Sequence, residues 1–293
     1  MSFLHHSALR CPQDQLPLHQ ANGDRRGTNR RGTSLHCANG HSFDIARQGY
    51  ANLLCAQDKR SKDPGDSKAM VKARHAFLQA GYYQPLANNL NQLLQPVLNS
   101  QSVLVDAGCG EAYYIEQLCR QLDACGQSQP AIIGFDISKW ALQVAARSQP
   151  ATWLVASNRK IPLADHCADI VLSMFGFPHF AEFARVLKPG GLLLLADAGP
   201  HHLLELREIL YDALKAYRGN SPAAAIDAGF RSAGRSEISF KTATLGQEAI
   251  DALLTMTPHL YRASAAGKQR ASAIASLALT VDVRLELLRK DAR

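Results

Sequence analysis

The sequence has no apolar run long enough to cross a membrane. Its longest, at 191–196, is six residues, against the roughly 18 that a span needs. The opening, Met1-Ser2-Phe3-Leu4-His5-His6, has no basic stretch followed by an apolar core, so no secretory signal is expected. No internal repeat is visible. The seven cysteines are an odd number without tight framework spacing. That excludes a disulfide scaffold and points to reduced thiols and a cytoplasmic location. Charged residues make up only 19% and hydrophobic ones 46%, the balance of a packed chain rather than a disordered one.

What is present begins with charge. The net charge is +7, and it is concentrated: residues 1–75 hold twelve Lys and Arg against six Asp. A local positive field attracts polyanions and speeds their capture. A solvated basic face gives the same composition.

The 293 residues suit one large domain, or a medium domain with a small one. Three parts are expected: a small module at 1–57, a helical connector at 58–100 and an α/β domain at 101–293. The first part is rich in Gly, Asn, Arg and His and has no long apolar run, so a metal is a reasonable staple for it. In the connector, Asp63-Pro64-Gly65-Asp66 is a turn. Asp66 or Ser67 then caps a helix to Ala80 whose apolar face carries Met70, Ala73, Phe77 and Leu78, with Gly81 as its stop. Pro85 starts a second helix, striped by Leu86, Leu90, Leu93, Leu94 and Val97.

From Ser102 strands and helices alternate. Strands are expected at 103–105, 132–135, 152–155, 168–173 and 192–196. Helices are expected at 113–122, 139–147, from the fourth strand to 187, and at 202–217. This pattern predicts a doubly wound, mostly parallel sheet covered on both faces. Ile238, Phe240 and Thr242 alternate, as do Val281, Val283, Leu285 and Leu287, which suggests a late antiparallel edge pair.

The chemistry-bearing loop follows the first strand: Asp106-Ala107-Gly108-Cys109-Gly110-Glu111-Ala112. In open parallel sheets ligands bind beyond the strand carboxyl ends. Asp136 ends the second strand, where a carboxylate accepts hydrogen bonds from ribose hydroxyls. A pyrophosphate needs a third glycine and a helix N-terminus free of acid. Here Ala112 stands in the third position, with Asp106 and Glu111 in the loop. Carboxylates repel a pyrophosphate and suit a sulfonium that carries an ammonium group. With Lys188-Pro189-Gly190-Gly191 before the fifth strand, this favours S-adenosylmethionine over NAD, in a class I methyltransferase domain.

The chain also resembles the bacterial large-subunit (23S) rRNA guanine-N1 methyltransferases. The segments that carry the likeness run in order over nearly its whole length. They are Cys11-Pro12, Cys37-Ala38-Asn39-Gly40-His41-Ser42-Phe43-Asp44, the stretches 49–54, 59–66 and 80–86, the loop 106–114, Lys188 to Gly191, Gly199-Pro200-His201-His202-Leu203 and Met256-Thr257-Pro258. The resemblance implies an N-terminal zinc ribbon that grips RNA, S-adenosylmethionine as cofactor, a guanine in an rRNA hairpin as acceptor, and a homodimer. It places Tyr83 against the cofactor, Gly110 and Glu111 at its amino-acid end and His202 facing the pocket. Asp106 and Gly108 belong to the same loop, Asp136 matches the ribose acid, and Asn158 follows the third strand where such folds contact the adenine edge.

Cys11, Asp14, Cys37 and His41 occupy the places of the ribbon's four metal ligands, with Asp14 where the family has a cysteine. Zinc prefers thiolate and imidazole in a tetrahedral cage. Three outcomes are open: these four hold zinc, a residue such as His19 or His36 steps in, or the site holds none. Between the half-sites lies an insertion at 22–33 with Arg25, Arg26, Arg30 and Arg31, a phosphate-contacting arm by composition or a loop without a partner.

Guanine N1 carries a proton that must leave before or during attack. His179, Asp197 and His201 are the candidate bases. The segment Ser173-Met174-Phe175-Gly176-Phe177-Pro178 differs from the family pattern. Phe175 and Phe177 there either stack on a base or pack on the sheet. Two other functions are carried forward: a small-molecule methyltransferase, and an RNA-binding homologue without catalysis, of which Asp14 and Ala112 would be signs.

Overall fold

In a computed structural model the described residues are 3–21, 33–59, 61, 63–214, 216–217, 223–257 and 262–292. The four arginines of the insertion and Pro258 lie outside them.

In chain order the elements are β1 (His19–Ala21), β2 (Ser34–His36), β3 (Ser42–Asp44), β4 (Tyr50–Asn52), α1 (Lys68–Gln79), α2 (Gln84–Leu94), β5 (Val103–Ala107), α3 (Tyr113–Ala124), β6 (Ala131–Asp136) and α4 (Lys139–Ser148). Then come β7 (Thr152–Val155), β8 (Ala168–Met174), α5 (Phe180–Val186), β9 (Leu187–Ala198), α6 (Leu204–Leu210), α7 (Ala223–Asp227) and β10 (Phe230–Lys241). The chain ends with β11 (Leu245–Gly246), α8 (Gln247–Met256), α9 (Ala265–Ser272), β12 (Ser276–Leu277) and β13 (Thr280–Lys290).

The main sheet has eight strands in the order β10-β13-β9-β8-β5-β6-β7-β4. Strands β9 through β4 are parallel, while β13 is antiparallel to both of its neighbours. The expected late pair is therefore β10 and β13. From β5 the chain passes first to β6 and later to β8 on the other side, so the order reverses at β5. That reversal opens the crevice in which such sheets bind ligands.

Successive strand residues face opposite sides. On one face Leu104, Ile132, Trp153, Ile170 and Leu192 pack against α1 to α4 and the C-terminal helices. On the other, Val105, Ile133, Leu154, Val171 and Leu193 pack against α5 and the N-terminal residues Leu9, Leu18 and Leu35. Helices cover the first face; a small antiparallel sheet, β1-β2-β3, covers part of the second. The N-terminal segment is stitched on by backbone bonds. Arg10 N donates to Pro162 O (2.9 Å) and Ala164 N to Ala8 O (2.8 Å). Strand β4 pairs directly with β7 as the outermost strand of the main sheet.

Three local expectations differ. The helix expected at 202–217 is only Leu204–Leu210. Arg270 Nε donates to Ile209 O (2.8 Å), and Gly267 lies so close that a Cβ there would be 2.2 Å from Leu210 O. The N-terminal end of α9 thus occupies the path a longer helix would take. Strand β9 starts at Leu187 rather than at 192, with Lys188 to Gly191 looped out as a bulge against β8. On α1 the buried residues are Val71, Phe77 and Leu78, so the inner face is rotated from the one expected and has Arg74 at its centre. Ser67 is the cap, accepting from Met70 N (3.3 Å).

Candidate functional site

The crevice begins where β5 and β6 end. Gly108 N and Cys109 N both donate to Phe135 O (2.8 and 3.0 Å), which fastens the loop across the two strand ends. Gly110 N donates to Asp136 Oδ2 (3.0 Å) and Ser138 N to Asp136 Oδ1 (2.7 Å). The loop brings Asp106, Gly108, Gly110, Glu111 and Asp136 together. Burial first, and then the charge of Asp136, pushes the Asp106 carboxyl up to about 8. Asp136 is also raised, chiefly by burial.

Two carboxylate oxygens here, Asp106 Oδ1 and Glu111 Oε1, are buried without a hydrogen-bond partner. Such atoms are costly unless a ligand satisfies them. At Gly108, φ +81°, the space a Cβ would enter is open. Unsatisfied acids beside open space fit a cationic ligand that donates hydrogen bonds, as S-adenosylmethionine does through its ammonium group, with the sulfonium adding a second positive charge.

Sequence reasoning missed the residue that holds this loop. Arg74 donates from Nε to Glu111 Oε2 (2.6 Å) and from Nη1 to Asp66 Oδ2. Burial would lower its pKa, but Glu111 and Asp66 more than reverse that and keep it charged. The available signal was an arginine three residues after Val71 and three before Phe77, on the buried stripe of α1. The turn at 63–66 closes over the same place. Ser138 Oγ donates to Asp66 O (2.7 Å) and Trp140 Nε1 to Asp63 Oδ2 (2.8 Å). Gly65 is required there: its φ is +82°, and a Cβ would lie 2.7 Å from Ile137 Cγ2 and 2.9 Å from Ser138 N.

A second wall joins Tyr83 to His202. Asp282 N donates to His202 Nδ1 (3.3 Å), which places the imidazole proton on Nε2. From Nε2 it is donated to Tyr83 Oη (3.3 Å). Asp282 holds the whole 199–202 turn: Gly199 N donates to its backbone O (2.8 Å) and His201 N to its Oδ2 (2.8 Å). Burial pushes the Tyr83 hydroxyl up, so it keeps its proton at neutral pH. Asn158 is tied to the segment after β8. Its Nδ2 donates to Phe177 O (2.9 Å), and its Oδ1 is buried and unpartnered.

The three candidate bases sit on different elements. His179 precedes α5, with its Nδ1 buried and unpartnered. Asp197 lies near the end of β9, in register with Arg284 of β13. His201 is exposed on the turn after β9. No hydrogen bond among the described residues joins any two of them.

In the N-terminal module Cys11, Asp14, Cys37 and His41 converge, with their ligand atoms all within 4.8 Å of one another. His41 Nδ1 is 3.0 Å from Asp14 Oδ2 and 3.4 Å from each of the two Sγ atoms. Two tight turns present them: Gln15 N donates to Cys11 O (2.9 Å) and Gly40 N to Cys37 O (3.0 Å). Asp14 is held by Leu16 N (3.1 Å) and Asn39 Nδ2 (3.0 Å). Burial, above all, pushes the Cys11 thiol up to about 11. Two sulfurs, one imidazole and one carboxylate at this spacing fit zinc. His19 and His36 instead face each other in the β1–β2 pair, with His36 Nε2 bonded to Ser34 Oγ (2.7 Å).

Comparison with known proteins agrees with both halves. Residues 9–62 match the zinc-ribbon family described as RlmA, N-terminal, and residues 105–195 match a methyltransferase domain. The 23S rRNA (guanine(748)-N(1))-methyltransferase of Streptomyces fradiae is 34% identical, covering 69% of this chain and 67% of its own. YxjB of Bacillus subtilis, provisionally named a 23S rRNA (guanine-N(1)-)-methyltransferase, is 30% identical, covering 94% of this chain and 95% of its own. Among solved structures the 4+2 cyclase SpnF superposes with a TM-score of 0.50 at 16% identity, over 80% of this chain and 100% of that one; this likeness concerns the fold alone. With a ribbon, a methyltransferase sheet and a 30%-identical relative that matches 94% of it, the chain belongs to the 23S rRNA (guanine-N1)-methyltransferase family.

Proposed function

We propose that this protein methylates N1 of a guanine in a 23S rRNA hairpin, using S-adenosylmethionine, in the cytoplasm and as a homodimer. One observation carries the reading: in a chain matched along 95% of a family relative, two carboxylate oxygens at the end of β5 and in the loop after it, Asp106 Oδ1 and Glu111 Oε1, are buried without a partner. No described helix is long and apolar enough to cross a membrane.

S-adenosylmethionine supplies an activated methyl group on a good leaving group. The chain's own residues align and enclose the reactants. In this reading Asp106, Gly108, Gly110 and Glu111 receive the amino-acid end, Asp136 the ribose and Asn158 the adenine edge. Tyr83 and His202 form the wall. Tyr83 keeps its proton, so it orients rather than acting as a base. The N1 proton passes to one of His179, Asp197 and His201. Residues 1–57 grip the RNA through their excess of positive charge, and Cys11, Asp14, Cys37 and His41 hold a zinc ion that cross-links the ribbon's two turns. The homodimer follows from the resemblance; light scattering of the purified protein tests it.

A methyl on N1 removes a Watson–Crick donor, so it stops reverse transcriptase. Primer extension on 23S rRNA from cells with and without the gene is expected to show one stop that depends on the gene. Purified protein should restore that stop on a transcript. An unchanged stop pattern in both settings overturns the reading.

A further inference from the structure

The loop after β8 displays a side chain that packing does not explain. Phe177 is 90% exposed, yet its loop is tightly held. Phe175 N donates to Ala196 O (2.8 Å), and Asn158 Nδ2 donates to Phe177 O (2.9 Å). A Cβ on Gly176 would lie 2.9 Å from Ser173 Oγ and 3.8 Å from Ala107 O. Phe175 sits at φ +53°, a left-handed conformation that costs a bulky residue energy and tends to occur at functional sites. The closeness to Ala107 sets this loop over the end of β5, at the mouth of the crevice. The Phe175 ring, 38% exposed, lies against His202, 5.7 Å between ring centres. The Phe177 ring points outward from the rim.

Resting on the rRNA reading above, we propose that Phe177 is the platform on which the acceptor base stacks, and that Asn158 is the positioning residue that sets it. N1 lies in the plane of guanine, so the ring must enter edge first with both faces bare. A base taken out of its helical stack needs a replacement surface. The crevice beneath is lined by the carboxyl groups of Asp106, Glu111 and Asp136, which offer a phosphate no cationic partner. The grip at its mouth must therefore come from an uncharged contact. A rigidly presented aromatic ring supplies one for any base. Asn158 fixes the height of the ring through the Phe177 carbonyl.

The test uses the full-length protein and a 23S rRNA hairpin that contains the guanine located by primer extension. Phe177→Ala should raise the KM for the hairpin about 5- to 150-fold, the range for loss of one base–aromatic stack. The cofactor Kd and the thermal midpoint should stay at wild-type values, because the ring is exposed. Phe177→Tyr should restore the KM. Asn158→Asp, which loses the donor to the Phe177 carbonyl, should reproduce the KM defect in part. In Phe177→Trp, emission above that of Trp140 and Trp153 should be quenched by the intact hairpin, and not by one with an abasic target. A wild-type KM in Phe177→Ala, or equal quenching by intact and abasic hairpins, overturns the proposal while leaving the rRNA reading in place. Wild-type protein that methylates no hairpin overturns the rRNA reading itself, and this proposal with it.

Discussion

Arg74 Nε lies 2.6 Å from Glu111 Oε2, joining the inner face of α1 to the glycine loop after β5. The carboxylate is almost fully buried, with a side-chain exposure of 2%. The pair makes the connector part of the crevice wall.

Arg74→Leu should therefore do more than remove a surface charge. It leaves Glu111 buried and unpaired, and breaking such a pair typically costs about 3–5 kcal/mol. Urea unfolding should show a loss near the lower end, because Arg74 retains some exposure (21%). A loss below about 0.5 kcal/mol, the size expected for a neutral surface site, would show that the pair contributes little.

Asp106 should release a proton when the cofactor binds. Its carboxyl is pushed up to about 8, so at pH 7 it is mostly protonated before binding. A cationic ligand favours the ionised form and lowers the pKa. Titration calorimetry at pH 7, in two buffers of different ionisation heat, should report release approaching one proton, and Asp106→Asn should abolish that part. The same shift has a stability sign. The folded-state pKa lies above the unfolded value, so the ligand-free fold loses stability as pH rises from about 4 to 8. Asp106→Asn should flatten that slope in pH-dependent unfolding.

Gly65→Ala tests the turn above the crevice. The added Cβ meets Ile137 Cγ2 and Ser138 N at 2.7 and 2.9 Å, at a φ of +82°. The turn must lift, and the Trp140–Asp63 bond with it. The expected cost is about 1–3 kcal/mol, with weaker cofactor binding by calorimetry. Unchanged affinity would show that the turn plays no part in the site.

The ribbon's metal should be held more loosely than by a three-thiolate set. Carboxylate is a harder ligand for zinc than thiolate. Asp14→Cys should slow zinc transfer to a chromophoric chelator, and Asp14→Ala should speed it. Asn39→Ala, which frees one oxygen of Asp14, should fall between wild type and Asp14→Ala. Loss of an outer partner commonly costs about 10-fold or more in metal affinity. Equal transfer rates in all four proteins would remove Asp14 from the ligand set.

The sheet was legible because its strands are buried on both faces and read as short, uninterrupted apolar runs, such as Val103-Leu104-Val105. The glycine loop was legible because Asp106, Gly108, Gly110 and Glu111 stand close together in sequence, directly after an apolar strand. The metal cluster was legible through the family resemblance, which set Cys11, Asp14, Cys37 and His41 at the ribbon's four ligand places, where the structure brings them together. Arg74 was not, because the acid it meets is 37 positions away and only a tertiary contact brings them together. The early end of α6 escaped for the same reason: its cause is α9, more than fifty residues downstream. Strand β4 is three residues, Tyr50-Ala51-Asn52, too short and too polar to stand out from a loop.

Tyr50–Asn52 has a further consequence. Since this small segment is bonded edge to edge with Thr152–Val155, the front end cannot swivel freely on a hinge. The span from the Cys11 cluster to the Asp106 pocket is a built-in dimension, as in a gauge block.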